Sequence, residues 1–182
     1  MNYAGPVLLI AALILPGCGD TKGEALASAE LKELGGSGVT GKVTFTRMGK
    51  RVTVNAVVNG LTPGKHGFHV HEFGDCSSPD GKSAGDHFNP LGHAHGGPGS
   101  ASHMGDLGNL EADATGKATL MLDIDQLTVD DGTLGVVGRG LIVHEKPDDL
   151  TSQPVGNAGE RVACAVIESA TGETKPVLAA TK

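Results

Sequence analysis

The stretch that decides the fold is VTGKVTFTRMGKRVTVNAVV, residues 39–58. Its first and last eight residues alternate polar residues with β-branched or apolar ones, which is the period-2 pattern of strands with one buried face. Met48-Gly49-Lys50 makes a short connection between the two halves. The stretch therefore predicts two consecutive strands, Val39–Thr46 and Arg51–Val58.

Strand signals recur on both sides of this stretch, and Gly-rich turns separate them. No segment carries a sustained helical period. Eight short strands without helical crossovers predict an all-β antiparallel sandwich or barrel. The remaining predicted strands are Ala27–Leu34, Gly67–His71, Leu107–Ala114, Ala118–Ile124, Gly140–His144 and Arg161–Glu168.

The length and charge of the chain limit its partners. A chain of 182 residues fits one domain. The formal net charge of -7 and the absence of a Lys/Arg run argue against a nucleic-acid partner, which needs a clustered basic surface.

The N-terminus, MNYAGPVLLIAALILPGCGD, is typical of an export signal, because its apolar core is too short to span a bilayer. Its end resembles the lipobox of bacterial lipoproteins, which predicts lipidation of Cys18. Ordinary cleaved export and an uncleaved apolar anchor are the alternatives. We expect a signal over residues 1–18, a tether over 19–24, a folded domain over 25–170 and a flexible tail over 171–182. The protein would lie at a periplasmic or extracellular face, anchored to the membrane.

The three cysteines fit this interpretation. If Cys18 is acylated, Cys76 and Cys164 are left to pair in an oxidising compartment. The alternative is two buried thiols.

All eight histidines fall between positions 66 and 144, and six of them sort into two groups. His69 and His71 are two apart on a predicted strand, so their rings project from one face and can converge on one ion. His144 ends another strand and could supply a third nitrogen.

The second group lies in a segment of about thirty residues without strand character, and loops of that length are usually functional or disordered. His87, His95, His103 and Asp106 are spaced by eight, eight and three residues. Three imidazoles and a carboxylate suit tetrahedral zinc, and a bound metal would offset the entropy of ordering the loop. A flexible polar loop is the alternative. Spacing does not name the metal, because imidazole ligands suit copper as well as zinc.

The motifs around these histidines resemble those of the copper/zinc superoxide dismutases. They occur in family order and span nearly the whole mature domain. The matching segments are HGFHVHE (66–72), HFNPL (87–91), HGGP (95–98), HMGDLGN (103–109), LIVHEK (141–146), DDL (148–150) and GNAGERVAC (156–164).

The resemblance implies an eight-stranded Greek-key β-barrel that binds one copper and one zinc per subunit. It assigns the copper to His69, His71, His87 and His144. It assigns the zinc to His87, His95, His103 and Asp106. His87 would bridge the two metals, a role that its spacing alone does not indicate.

The resemblance also implies roles around the metals. Asp148 would connect a copper histidine to a zinc histidine, and Arg161 would stand at the mouth of the copper channel. Cys76 and Cys164 would form an intrasubunit disulfide. His66 would be structural, and His93 matches no ligand and is expected to be an exposed loop residue.

The implied function is disproportionation of superoxide to dioxygen and hydrogen peroxide outside the cytoplasm, by a homodimer. Residues 150–155, LTSQPV, carry no charge, whereas many family members have a longer loop here with Glu and Lys residues that guide the substrate. A non-catalytic protein that stores or delivers copper and zinc is the alternative. A structural envelope protein on a degenerate fold would lack ligands, and none is missing.

Overall fold

A computed structural model describes Met1 and residues 24–49, 51–99 and 101–179. Apart from Met1 and Glu24, the predicted export signal with Cys18 and the predicted tether lie outside the described residues. Among the described residues, no helix is long and apolar enough to cross a membrane.

The described chain is built from β-strands and one 3-10 turn, Lys82–Ala84. The strands are β1 (Glu24–Glu33), β2 (Thr40–Met48), β3 (Arg51–Asn59), β4 (Gly64–His71), β5 (Asp106–Ala112), β6 (Ala118–Ile124), β7 (Gly140–His144), β8 (Arg161–Val166) and β9 (Glu168–Ser169).

All eight predicted strands are present, which confirms the all-β prediction, and the two-residue β9 extends the path of β8. Strand β5 ends earlier than predicted, at Ala112. The reason is Asp113, whose Oδ1 accepts hydrogen bonds from the N–H groups of Thr115 (2.8 Å) and Lys117 (3.2 Å) and so closes a turn.

The strands form a closed antiparallel barrel. Neighbours follow the order β2-β3-β6-β5-β4-β7-β8-β1, and pairing of β1 with β2 closes the circle. The pairs β3–β6 and β4–β7 join strands that are distant in sequence, as Greek-key connections require. The barrel interior is apolar, and its fully buried side chains include Phe45, Val54, Phe68 and Leu141.

Strand β4 is buried on both faces, from His66 to His71. Phe68 and Val70 point into the barrel core, so by the period of the strand His69 and His71 point to its other face. That outer face is covered, because Gly67 N–H donates to Lys146 O (2.8 Å) and Phe88 N–H to Val70 O (2.9 Å). Two long loops, 72–105 and 145–160, thus meet over the histidines of β4.

The disulfide between Cys76 and Cys164 confirms the predicted pairing. It ties the loop 72–105 to β8, and its two Cα atoms are 5.8 Å apart. Since 88 positions separate the cysteines, loop-closure entropy predicts a stabilisation of about 4.6 kcal/mol.

The C-terminal segment lies along the barrel. Val177 N–H donates to Gly138 O (2.6 Å), and Gly74 N–H donates to Val177 O (2.7 Å). The flexibility expected for residues 171–182 concerns motion and stays a prediction.

Candidate metal centre

Two strands and one loop bring four histidines together. Strand β4 pairs with β7 so that His71 lies opposite Gly140 and Phe68 opposite Val143, which places His144 near the same face. A β-bridge between His71 and His87 adds the long loop. The ring centroids of His69 and His87 are 4.0 Å apart, and those of His71 and His144 are 5.6 Å apart.

In this first cluster, one side-chain nitrogen of each histidine has no hydrogen-bond partner in the described part of the chain. These buried atoms are His69 Nδ1, His71 Nε2, His87 Nε2 and His144 Nε2. One ligand atom from each of the four residues lies within 4.8 Å of the others. Buried polar groups without partners are costly, so four convergent ring nitrogens fit a metal ion.

The opposite ring nitrogens are held by oxygen acceptors. His71 Nδ1–H donates to Gly85 O (3.0 Å), and His144 Nδ1–H donates to Gly159 O (3.3 Å). His69 Nε2–H donates to Asp148 Oδ2 (2.7 Å). Because these acceptors fix which nitrogen carries the proton, they leave the lone pair of the other nitrogen free for a metal.

A second cluster gathers around Asp106, the first residue of β5. His87 Nδ1 lies 3.0 Å from Asp106 Oδ1, His95 Nδ1 lies 3.1 Å from Oδ2, and His103 Nδ1 lies 3.3 Å from Oδ1. Only the His87 contact is aligned as a hydrogen bond. Three imidazole nitrogens and one carboxylate meeting in a buried site are the donor set of tetrahedral zinc.

His87 belongs to both clusters and turns a different nitrogen toward each. Its Nδ1 faces Asp106, while its Nε2 belongs to the cluster on β4 and β7. One imidazole ring therefore joins the two groups that spacing had separated.

Asp148 joins the clusters a second time. Its Oδ2 accepts from His69 Nε2–H (2.7 Å) and its Oδ1 from His95 Nε2–H (2.8 Å). The side chain of Asn109 holds the main chain of Asp148, accepting from its N–H (2.8 Å) and donating to its C=O (2.9 Å). Burial raises the pKa of Asp148, but hydrogen bonds from His69, Leu150 and His95 outweigh it and leave that pKa below its usual value.

Burial keeps several of these histidines neutral. It lowers the pKa of His69 to about 4, although the hydrogen bond to Asp148 opposes the change. Burial, followed by the neighbouring histidines, lowers the pKa of His71 and His144 well below the usual value, and burial also lowers that of His103. Neutral imidazole is the form that ligates metals.

Arg161 lies opposite His144 in the pairing of β7 with β8. Its guanidinium donates to Gly81 O and Gly85 O, each at 2.6 Å, and the Gly85 carbonyl also accepts from His71. Burial lowers the pKa of Arg161, opposed by Asp86 and Asp80, but a guanidinium stays charged at neutral pH. A permanent cation thus stands beside the first cluster, partly exposed to solvent.

Two histidines stay outside both clusters. The ring nitrogens of His66 lie 2.8 Å from His144 O and 2.8 Å from Thr62 O, so His66 supports the end of β7. His93 is exposed, and its Nδ1 lies 3.0 Å from Ser102 O.

Sequence reasoning missed Arg139, which is buried just before β7. Its guanidinium lies 3.7 Å above the centre of the Phe88 ring and donates to Gly135 O (2.6 Å) and Glu72 O (2.9 Å). Arg139 thereby holds Phe88 and Glu72, the residues that directly follow His87 and His71. A single arginine between two glycines gives no sequence signal for such a role.

The fold and the site together define a class of protein: an antiparallel β-barrel with two buried clusters that could each hold a metal ion and that share one histidine. A sequence profile described as "Copper/zinc superoxide dismutase (SODC)" matches residues 39–167. The chain therefore belongs to the copper/zinc superoxide dismutase family.

Its relatives include both enzymes and chaperones. The chain is 45% identical to "Superoxide dismutase [Cu-Zn] 4" of Dictyostelium discoideum over 140 residues, 72% of this chain and 92% of that protein. It is 47% identical to the "Extracellular superoxide dismutase [Cu-Zn]" of Drosophila melanogaster over 141 residues, 71% of this chain and 75% of that protein.

The chain is also 42% identical to the human "Copper chaperone for superoxide dismutase" over 168 residues, which cover 87% of this chain but 59% of the chaperone. It thus spans about three fifths of the length of the curated chaperones that it matches.

Proposed function

We propose that the chain is a copper/zinc superoxide dismutase, and the observation that carries the proposal is the sharing of His87. Each of its two ring nitrogens faces a different buried cluster, and each cluster holds three further residues that can ligate a metal. A protein that only stored metal would need two sites but no common ring, and it would need no cation such as Arg161 beside one of them.

The proposed ligands follow from the free nitrogens. His69 Nδ1, His71 Nε2, His87 Nε2 and His144 Nε2 would hold copper. Zinc would be held by Nδ1 of His87, His95 and His103 and by the carboxylate of Asp106. When bound, copper supplies a one-electron couple that oxidises one superoxide to dioxygen and reduces another to hydrogen peroxide, while zinc is redox-inert.

The protein's own groups position the substrate and deliver one of the protons. Two superoxide ions and two protons give one dioxygen and one hydrogen peroxide. Arg161 presents N–H donors and a fixed positive charge to a small anion, so it binds and orients superoxide next to His71 and His144. His87 Nε2, in the part of the cycle in which it is not a ligand, is the atom that would hold one proton from solvent and donate it to the forming peroxide. The acceptors Gly85 O, Gly159 O and Asp148 keep the other rings in the ligating tautomer.

Long-range attraction of the substrate is weak in this chain. The net charge is -7, and the exposed Lys82 is paired with Asp80 at 2.9 Å. Residues 150–155 add no cation. Arg161 therefore acts as a local attractor against a repulsive global field, and its effect should fall as salt rises.

The alternative is a copper-handling protein, favoured by the similarity to the human chaperone across most of this chain. The two functions separate in one experiment. The metal-free chain is loaded with zinc alone or with copper and zinc, and superoxide decay is followed by stopped-flow absorbance. Fast decay that needs copper supports the enzyme. No decay with both sites filled, together with copper transfer to a metal-free acceptor dismutase, would support the chaperone.

We further propose that the chain is exported and acts as a homodimer at a membrane surface. An apolar N-terminal segment, the disulfide and an extracellular relative support export. Mass spectrometry of the mature N-terminus tests lipidation of Cys18, and Cys18→Ser should release the protein from membranes. Sedimentation of the purified protein tests the dimer.

A further inference from the structure

Gln153 holds the main chain of His95 from the neighbouring loop. His95 N–H donates to Gln153 Oε1 (2.8 Å), and Gln153 Nε2–H donates back to His95 O (3.0 Å). The two residues are 58 positions apart. One primary amide thus satisfies both main-chain polar groups of a residue in the second cluster.

His95 depends on such support because it lies in a segment without helix or strand. His69, by contrast, is held by the strand pairing of β4 with β5 and β7. Asp148 holds the His95 ring at Nε2, but the direction of Nδ1 toward Asp106 also depends on where the backbone lies. A side-chain amide that bonds N–H and C=O together takes the place of a neighbouring strand.

The loop that carries Gln153 is itself well fixed. Asp149 Oδ1 accepts from the N–H groups of Thr151 (3.0 Å) and Ser152 (2.8 Å), and Gly156 N–H donates to Ser152 O (2.8 Å). Gln153 Nε2 also donates to Thr151 O (3.1 Å). The amide is therefore presented in a defined orientation, although the side chain is on the surface.

We infer that Gln153 is a positioning residue for the zinc set, fixing the backbone of His95 so that Nδ1 faces Asp106. This inference rests on the proposed zinc site. The chemistry asks for an amide at this position. A glutamate would keep the acceptor for His95 N–H but place its second oxygen against His95 O, and a methionine would offer neither contact.

The test is a Zn²⁺ titration of the full metal-free chain in competition with a chromophoric chelator. Loss of two neutral hydrogen bonds predicts zinc binding about tenfold weaker in Gln153→Met, with a smaller loss in Gln153→Glu. Cu²⁺ affinity should change less than about threefold, because a threefold change corresponds to less free energy than one hydrogen bond of average strength. Gln126→Met, the same change at the other glutamine, is the matched control and should match the unsubstituted chain.

Amide hydrogen exchange at His95 separates positioning from general stability. Gln153→Met should speed exchange at His95 while leaving Gly96 protected, because Gly96 N–H donates to Asp106 Oδ2 (3.0 Å). Equal zinc affinity of Gln153→Met and the unsubstituted chain would overturn this inference but not the proposed function. So would equal losses of copper and zinc together with a lower melting temperature of the metal-free protein. Failure of the unsubstituted chain to bind zinc would overturn the proposed function first, and this inference with it.

Discussion

Replacing Asp148 by alanine should weaken zinc binding more than copper binding. The carboxylate accepts three hydrogen bonds, from His69 Nε2–H (2.7 Å), His95 Nε2–H (2.8 Å) and Leu150 N–H (2.7 Å). Alanine removes all three. The histidines of the proposed copper and zinc sites differ in the contacts that still hold them after this substitution.

Both rings lose their contact with Asp148, but the backbone of His69 stays in place because β4 is paired on both sides, whereas His95 lies outside any strand. Loss of the Leu150 contact also loosens the loop that carries Gln153, so His95 is disturbed a second time. A hydrogen bond to a charged group contributes about 1.5–3 kcal/mol, which corresponds to a zinc affinity lower by roughly 10- to 100-fold. We expect copper affinity to fall by less than about tenfold, since strand pairing limits the freedom that His69 gains.

The assay is competition titration of the metal-free variant with each metal separately, followed by metal analysis of the loaded protein. Asp113→Ala is the control, because that exposed carboxylate also accepts main-chain N–H groups in a turn but touches no histidine. Zinc affinity within threefold of the unsubstituted chain, or a copper loss greater than the zinc loss, would refute the reasoning.

Three further predictions follow from the same geometry. Arg161→Ala should lower the rate of superoxide loss by about tenfold or more at low salt, with metal content intact, as expected when one electrostatic stabiliser of an anion is removed; an unchanged rate in low-salt stopped-flow would speak against its role. His87→Ala should disturb both metals, because one ring serves both clusters, and full copper and zinc retention by elemental analysis would contradict the bridge. The metal-free protein should lose stability from pH 6.5 toward 4. His69 takes up a proton at its usual pKa of 6.5 in the unfolded chain, but only at a pKa of about 4 in the folded protein. The contribution of neutral His69 to the free energy of unfolding, on the order of 3 kcal/mol, is therefore complete above pH 6.5. Denaturant titrations across this range check the sign, and constant stability would argue against it.

The barrel could be predicted because its strands are marked locally. In β3, Val54, Ala56 and Val58 face the core, and the polar residues Thr53 and Asn55 alternate with the first two of them, a period that is visible without any long-range information. The bounds shifted where a side chain such as that of Asp113 ends a strand. The loop 72–105 could be predicted from local sequence too, because polar and apolar residues do not alternate there.

Sequence spacing could not predict the shared histidine or which ring nitrogens are free. His69 and His71 could be placed on one face because two residues on a strand must share one. Nothing local shows that His87 turns a second nitrogen toward them, and that expectation came only from the family resemblance. Which nitrogen of each ring is free depends on acceptors from distant segments, such as Gly85 O and Gly159 O. The metal-binding roles themselves stay predictions until the ions are measured.

The division of the ligands between strands and loops has a chemical consequence. Three of the four proposed copper ligands lie on β4 and β7, two strands of the barrel wall, so the barrel can build most of that set without metal. His95 and His103 lie in irregular chain, and their placement depends on Asp148, Gln153 and the ion itself. We therefore expect zinc to act largely as an organiser of the loop, and through His87 and Asp148 its binding reaches the copper ligands. The proposal of an enzyme therefore rests on His87 and Arg161, which a one-electron cycle on a small anion would need and which simple copper storage would not.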